Sequence, residues 1–471
     1  MKIKSCLYFL GLSCFPISIM SLINVFYTFY FGYLDNLMSY FLVLLVSSLT
    51  GLVFFKLGRT ERENINIYEQ LFLIFLVYFL ISFFISLPFY YSNYDISFIN
   101  SFFESISGLT GTGFTTFKYI KSLDEPLILW RSSSQWIGGF YFLIFLILIF
   151  SNKQINFKMV DLSFNLEKKI NFSSNLTNVA SRIFFIYSSL TVLIFFLFLI
   201  SGVRLFDSLN LTMTVISSGG FLPTDSLNDI IKNNFQSLLL CFAFLISILN
   251  FYLLYNVILG RDNLKEHGED VYILVLVLVF SMIFYFINDL NIFSVFINVL
   301  SSIGTSGISA RAVPGNFGLY FIILTLLGGS VLSTTSGIKF LRIYILVKAF
   351  FMEIYKLVKP NVMLNTKIMF SEKKVNTDNI KMSFLIFILF FLSLFILNSI
   401  LLADFLDFEN SFKLSILTLT NTAASNIYGI EEIHFSDLFT FSKISLIIFM
   451  VIAKVELMAI FVLARRIFFK D

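Results

Sequence analysis

Charge is what this sequence has least of. Only 13% of its 471 residues are Asp, Glu, Lys or Arg, about half the roughly 25% of a typical soluble domain. A soluble domain of any size is excluded, and the net charge of +4 reads as an asymmetry between loops rather than as a nucleic-acid surface. Cysteine is nearly missing too. Cys6, Cys14 and Cys241 form neither a disulfide framework nor a metal-ligand spacing. Of the two histidines, His267 and His434, each lies in or beside a loop with no His/Cys/Asp/Glu constellation around it. No nucleophile motif, Walker loop or dinucleotide fingerprint is present. The chain is therefore not read as an enzyme, nor as an ATP-driven pump by itself.

What fills the space is hydrocarbon and aromatic. The chain is 58% hydrophobic, with 63 Phe and a mean hydropathy of +0.88, and apolar runs of about 20 residues, enough to cross a bilayer, recur along its length. The expected fold is an all-α polytopic membrane protein with about ten spans, near 5–31, 37–57, 67–91, 126–151, 180–202, 235–259, 270–289, 317–357, 382–403 and 436–468. The opening "MKIKS" mimics a signal peptide, but the apolar run continues to about Tyr30 without a small-residue cleavage site. It is read as a retained span. With the N-terminus in the cytoplasm, about 22 of the 33 Lys and Arg fall inside and about 8 outside, as the positive-inside rule requires. An even number of spans then puts the C-terminus inside as well.

Between spans lie shorter segments that end in clusters of Gly, Ser and Thr: "FINSFFESISGLTGTGFTTF", "LFDSLNLTMTVISSGGFLPT", "IFSVFINVLSSIGTSGISAR" and "FENSFKLSILTLTNTAASNIYGI". Three share a hydroxyl-rich approach, a Gly and a bulky apolar residue: "GTGF", "SSGGF" and "GTSGI". The repetition predicts four pseudo-repeats of helix–pore loop–helix around a central pore, preceded by an extra N-terminal helix pair. The boundaries are 1–64 for the pair, then 65–165, 166–263, 264–375 and 376–471. A half-helix of about 12 residues rises about 18 Å, so each short segment dips in from outside and returns as extended backbone. Non-helical backbone at that depth is tolerated only when buried in protein or lining water. Four such loops can present rings of carbonyls that replace an ion's hydration shell, with the negative ends of the half-helices favouring a cation. The plainer explanation, small residues at helix–helix contacts, suits an isolated "SxxxG" better than clusters that recur after segments too short to span.

These features resemble the membrane subunit of the Trk/Ktr/HKT superfamily of potassium transporters, most of all the bacterial Trk type with its added N-terminal pair. Beyond the pore loops, "LWRSSSQWIGGF", "GGSVLSTTSGIKFLR" and "AKVELMAIFVL" are similar to the family's signatures. The resemblance implies a potassium uptake channel or transporter of the bacterial inner membrane, with potassium as the transported ion and no organic cofactor. It implies a filter at Gly111, Thr112, Gly113, Ser218, Gly219, Gly220, Thr305, Ser306, Gly307, Asn426, Ile427 and Tyr428. In the fourth loop Tyr428 falls on the family's glycine position and Gly429 one beyond. Either that loop shifts by one residue, or the ring is asymmetric and sodium permeates. The resemblance also implies a gate at Gly328, Gly329, Ser330, Ser333, Thr334, Thr335, Ser336 and Gly337, with Lys454 as a cation barrier below the filter. Lys339 and Arg342, after the break, are explained by snorkelling, and Glu104 is read as an anchor for neighbouring backbone or Arg131. The implied partners are a cytosolic nucleotide-binding regulatory subunit of the TrkA type and a second copy in a homodimer with one pore per chain. Potassium transport, passive or by symport with protons or sodium, leads; an ion-coupled carrier of a small solute built on broken helices is the competing class.

Overall fold

A backbone in hydrocarbon has to satisfy its own N–H and C=O groups. In the computed structural model of this chain, long helices accordingly alternate with short buried ones. The structure describes residues 3–59, 65–151, 176–258, 268–288, 290–310, 317–359, 367–369, 374–404, 406–430 and 433–455. The expected basic inner stretches near 152–175, 259–267 and 456–471, His267 and the end of the 436–468 span lie outside the described residues.

The chain opens with α1 (Ile3–Phe31) and α2 (Leu37–Gly58), packed face to face. Glycine makes this contact close: a Cβ on Gly11 would lie 2.6 Å from the Phe55 nitrogen, and one on Gly58 would lie 2.4 Å from that of Tyr8. Small residues permit such backbone approach between membrane helices. The next span, α3 (Ile67–Tyr90), starts in a capping box in which Glu69 reaches back to the Asn66 N–H at 2.9 Å. A short helix, α4 (Phe98–Thr110), and a long one, α5 (Glu125–Ser151), follow. The same order recurs with α6 (Leu176–Ile200), short α7 (Leu205–Ile216), α8 (Asn234–Ile248) and α9 (Phe251–Ile258). It recurs again with α10 (Gly268–Ile287), short α11 (Ile292–Ile303), α12 (Gly318–Leu327) and α13 (Phe340–Val358), and then with α14 (Thr377–Leu402), short α15 (Phe408–Leu419) and α16 (Thr440–Val455).

By length and composition, six helices among the described residues are able to cross a membrane, or seven if a bent pair counts as one span. That pair covers the span expected over 235–259 and bends it. α8 and α9 meet at 108°, because Asn250 leaves the helix and starts a new one. Its side-chain oxygen accepts from the Tyr252 N–H at 2.9 Å, while its own N–H donates to Asp270 at 2.8 Å. The long apolar run over 317–357 is broken as expected, into α12 and α13 on either side of residues 328–339.

Candidate functional site

The four short helices end in the same way. Immediately beyond each, one residue turns left-handed: Gly111 (φ +74°), Ser218 (+55°), Thr305 (+53°) and Asn421 (+47°). The next amide donates back to a carbonyl five residues earlier: Thr112 to Ser107 at 2.9 Å, Gly219 to Thr214 at 2.8 Å, Ser306 to Ser301 at 2.9 Å and Thr422 to Leu417 at 2.9 Å. These bonds satisfy carbonyls the helix leaves open and release the chain as extended backbone. Hydroxyls fasten two of the loops from behind, Ser107 to the Phe114 carbonyl (2.6 Å) and Thr214 to the Phe221 carbonyl (2.8 Å). Leu417, at the matching position of the fourth loop, has no hydroxyl to give.

One residue further on, the loops meet. A Cβ on Gly113 would sit 2.9 Å from the Ala423 methyl and 2.9 Å from the Gly220 Cα. One on Gly220 would sit 2.2 Å from the Ala423 methyl and 2.6 Å from the Ser306 carbonyl oxygen, and one on Gly307 would lie 2.3 Å from the Ala423 carbonyl oxygen. Gly113, Gly220, Gly307 and Ala423 therefore come together, and the expectation for the fourth loop is corrected. Asn426, Ile427 and Tyr428 form a single 3₁₀ turn, in which Ile427 and Tyr428 are buried and the Tyr428 carbonyl packs on Gly318 of α12. Counting from the helix end aligns the four loops: Asn421, Thr422 and Ala423 stand as far along the chain from Leu417 as Gly111, Thr112 and Gly113 stand from Ser107. Alanine fits without backbone strain, because only Gly113 (φ +80°) and Gly307 (φ +72°) of the four are left-handed.

The first turns of α5 explain why "WRSSSQWIGG" has its spacing. Trp130 donates to the Ile85 carbonyl at 3.0 Å, and Trp136 to the Thr191 hydroxyl at 3.0 Å. Gln135 accepts the Phe221 N–H at 3.2 Å. Gly138 lets α5 lie on α4, where a Cβ would be 2.0 Å from the Leu109 carbonyl oxygen. Arg131, 2% exposed, pairs with fully buried Glu104 at 2.9 Å and lies 4.1 Å from the Phe221 ring centroid. Glu104 also accepts from the Thr116 N–H at 2.7 Å, so its expected anchoring geometry is present. On the loop side, Lys121 and Asp229 pair at 2.7 Å, and that hydrogen bond raises the Lys121 pKa above its ordinary value.

Residues 328–339 run directly against these loops. The Thr334 hydroxyl meets the Ser218 hydroxyl at 2.9 Å and donates to the Ile216 carbonyl at 3.0 Å. The Ser336 N–H donates to the Thr305 hydroxyl at 2.9 Å. Gly328 (φ +60°) and Gly337 (φ +83°) make the turns at its two ends, and Ser330, Ser333, Thr334, Thr335 and Ser336 are all buried. Within the loop, Gly329 donates to the Thr335 hydroxyl at 3.0 Å. Snorkelling is overturned for Lys339 and Arg342, which are 4% and 5% exposed. The Lys339 ammonium folds back onto the loop, donating to the Thr335 carbonyl at 2.5 Å and the Ser333 hydroxyl at 3.2 Å.

Lys454, 2% exposed, is brought to the same place by α16. Its ammonium donates to the Ser336 hydroxyl at 3.1 Å, lies 4.3 Å from the Phe142 ring centroid, and is 3.6 Å from where a Cβ on Gly111 would be. A small cavity of about 30 Å³, the volume of one water, lies beside Phe142, Ser336, Lys339, Arg342 and Lys454. The ammonium therefore holds the 328–339 loop through Ser336 and lies beside Gly111 at the end of α4. Sequence reasoning did not find Ala423, Gln135 or the α8–α9 elbow.

No family model matches the chain. It is 26% identical over 451 residues to an uncharacterized cation transporter of Methanocaldococcus jannaschii, covering 91% of this chain and 90% of that one. It is 24% identical over 447 residues to the Trk system potassium uptake protein TrkH of Halomonas elongata, covering 89% and 90%. The potassium uptake protein TrkG of Escherichia coli K12 is 25% identical, covering 91% and 92%. The crystal structure of the potassium transporter TrkH from Vibrio parahaemolyticus superposes with a TM-score of 0.84 at 20% identity, covering 98% of each chain; the two share the fold.

Proposed function

We propose that this chain belongs to the superfamily of Trk-type potassium transporters and takes up potassium through a backbone-carbonyl filter. The filter comprises Gly111–Thr112–Gly113, Ser218–Gly219–Gly220, Thr305–Ser306–Gly307 and Asn421–Thr422–Ala423. The observation that carries the reading is the meeting of Gly113, Gly220, Gly307 and Ala423 at the ends of four short helices. Bare backbone from several loops, converging at one point, is what substitution of carbonyl oxygens for a hydration shell requires. Residues 328–337 act as the gate beneath the filter, and Lys454 as the barrier that holds them. In this reading the chain is one N-terminal helix pair, 1–64, and four pore units, 65–165, 166–263, 264–375 and 376–471. It lies in a bacterial inner membrane with both termini cytoplasmic. It forms a homodimer and is opened by a cytosolic nucleotide-binding subunit that docks on the basic inner stretches. The chain is a transporter rather than an enzyme.

Ala423 favours a second reading, sodium permeation. Its methyl occupies space that hydrogen occupies at the other three positions, and a narrower ring suits the smaller ion. Expression in a bacterium that lacks its own potassium uptake separates the two. Growth on low potassium with rubidium flux supports the first reading. Sodium flux with neither growth nor rubidium flux overturns it in favour of the second.

A further inference from the structure

Two carboxylates are buried where a hydrophobic chain can least afford them. Glu269 and Asp270, in the first turn of α10, are each 2% exposed. Leucines would pack there without the desolvation of two ionisable groups; carboxylates add acceptors for two buried backbone N–H groups. Glu269 accepts from the Val331 N–H at 3.2 Å, and Asp270 accepts from the Asn250 N–H at 2.8 Å. Between these two bonds the elbow and the loop are joined directly. The Ser330 N–H donates to the Ile248 carbonyl at 3.0 Å, and the Phe251 N–H donates to the Leu332 carbonyl at 2.8 Å.

The 328–339 loop thus has two fastened edges. Thr334 and Ser336 hold one to the second and third pore loops. Ser330, Val331 and Leu332 hold the other to the α8–α9 elbow and to the start of α10. Asp270 sets the elbow, Glu269 sets the loop, and both belong to one rigid helical turn. That turn immediately follows, in sequence, a charged stretch that contains Arg261, Asp262, Lys265 and Glu266.

We infer that Glu269 and Asp270 are positioning residues that latch the 328–339 loop to the α8–α9 elbow, so that displacing the start of α10 from the cytoplasmic side releases the loop. The inference rests on the reading of that loop as the gate. Glu269 acts through its reach to one N–H, so length matters more than charge.

The test is rubidium uptake by the full chain, expressed without a cytosolic partner, with flux normalised to the amount of protein in the membrane. E269Q keeps an acceptor oxygen at the same reach and leaves flux within about twofold of the parent. E269A and E269D, which lose the acceptor or shorten it by one methylene, raise partner-free flux on the order of tenfold, the effect of leaving one buried backbone N–H without its acceptor. D270N and D270A repeat the contrast at the elbow. Equal flux from E269Q, E269D and E269A overturns the inference. If E269A fails to accumulate, the E269Q and E269D pair decides alone. A T334A/S336A variant, which removes the Thr334 bonds to Ser218 and Ile216 and the Lys454 bond to the Ser336 hydroxyl while the Ser336 N–H still bonds Thr305, loosens the loop at its other edge and separates the two levels. If it raises flux and E269D does not, the latch fails and the gate stands. If neither raises flux, the gate reading fails and takes the latch with it.

Discussion

Exchanging a methyl group between two pore loops tests the register of the fourth loop. In Gly220→Ala the new Cβ would lie 2.2 Å from the Ala423 methyl and 2.6 Å from the Ser306 carbonyl oxygen. Carbon atoms rest about 3.5–4.0 Å apart, so the first contact overlaps by more than about 1 Å. Relieving such overpacking costs about 1–3 kcal/mol, and the loops can give way only by moving against one another where ions would pass. G220A should therefore lower rubidium uptake by about tenfold or more, since about 1.4 kcal/mol is one factor of ten. A423G removes the methyl that is struck. The double variant G220A/A423G should regain part of the lost flux, because the Ser306 carbonyl still opposes the new Cβ, with a coupling of about 0.5–3 kcal/mol as expected for residues in contact. The assay is initial-rate rubidium uptake in potassium-uptake-deficient cells, with membrane abundance measured in parallel. If G220A/A423G is no better than G220A, the Ala423 methyl is not in the ring and the assignment fails.

Three further outcomes follow from the same geometry. Glu104→Ala leaves the guanidinium of Arg131 buried without its carboxylate, which costs about 3–5 kcal/mol; a markedly lower melting temperature of the purified protein checks it, with Glu104→Gln losing less. Lys454→Met removes the ammonium that bonds Ser336 at 3.1 Å while keeping a long side chain. It should raise partner-free rubidium flux, and unchanged flux counts against the barrier. Ser107→Ala deletes the 2.6 Å bond to the Phe114 carbonyl, worth about 1 kcal/mol. It should loosen the first loop and reduce the preference for rubidium over sodium, with little change in membrane abundance.

Much of this molecule is legible from composition and period. Low charge and repeated apolar runs of bilayer length are properties of the chain itself, and they settle that it is helical and membrane-embedded. The three segments ending in "GTGF", "SSGGF" and "GTSGI" identify themselves, because glycine among hydroxyl residues at the end of a half-length helix is a local signal. The fourth loop gives no such signal. Its residue at the meeting point is alanine, at a backbone angle that does not demand glycine, so nothing in "TNTAASNIYGI" distinguishes Ala423 from its neighbours until four helix ends are compared in space. The broken helix over 317–357 could likewise be read from Gly328 and Gly337, where the chain needs left-handed turns. The elbow at Leu249–Asn250 could not, because it depends on Asp270 reaching it from another helix. The same holds for Lys339: sequence places it at a helix end, where a long cation is expected to reach water, and only the packed loop supplies carbonyls and hydroxyls that keep it inside. Hydrophobic period and glycine act over a few residues, so the sequence by itself determined the membrane class, the short helices and three loops of the proposed filter. Packing and hydrogen bonds between segments far apart in the chain act only once it is folded, and they placed Ala423 beside the three glycines and bent the chain at the elbow.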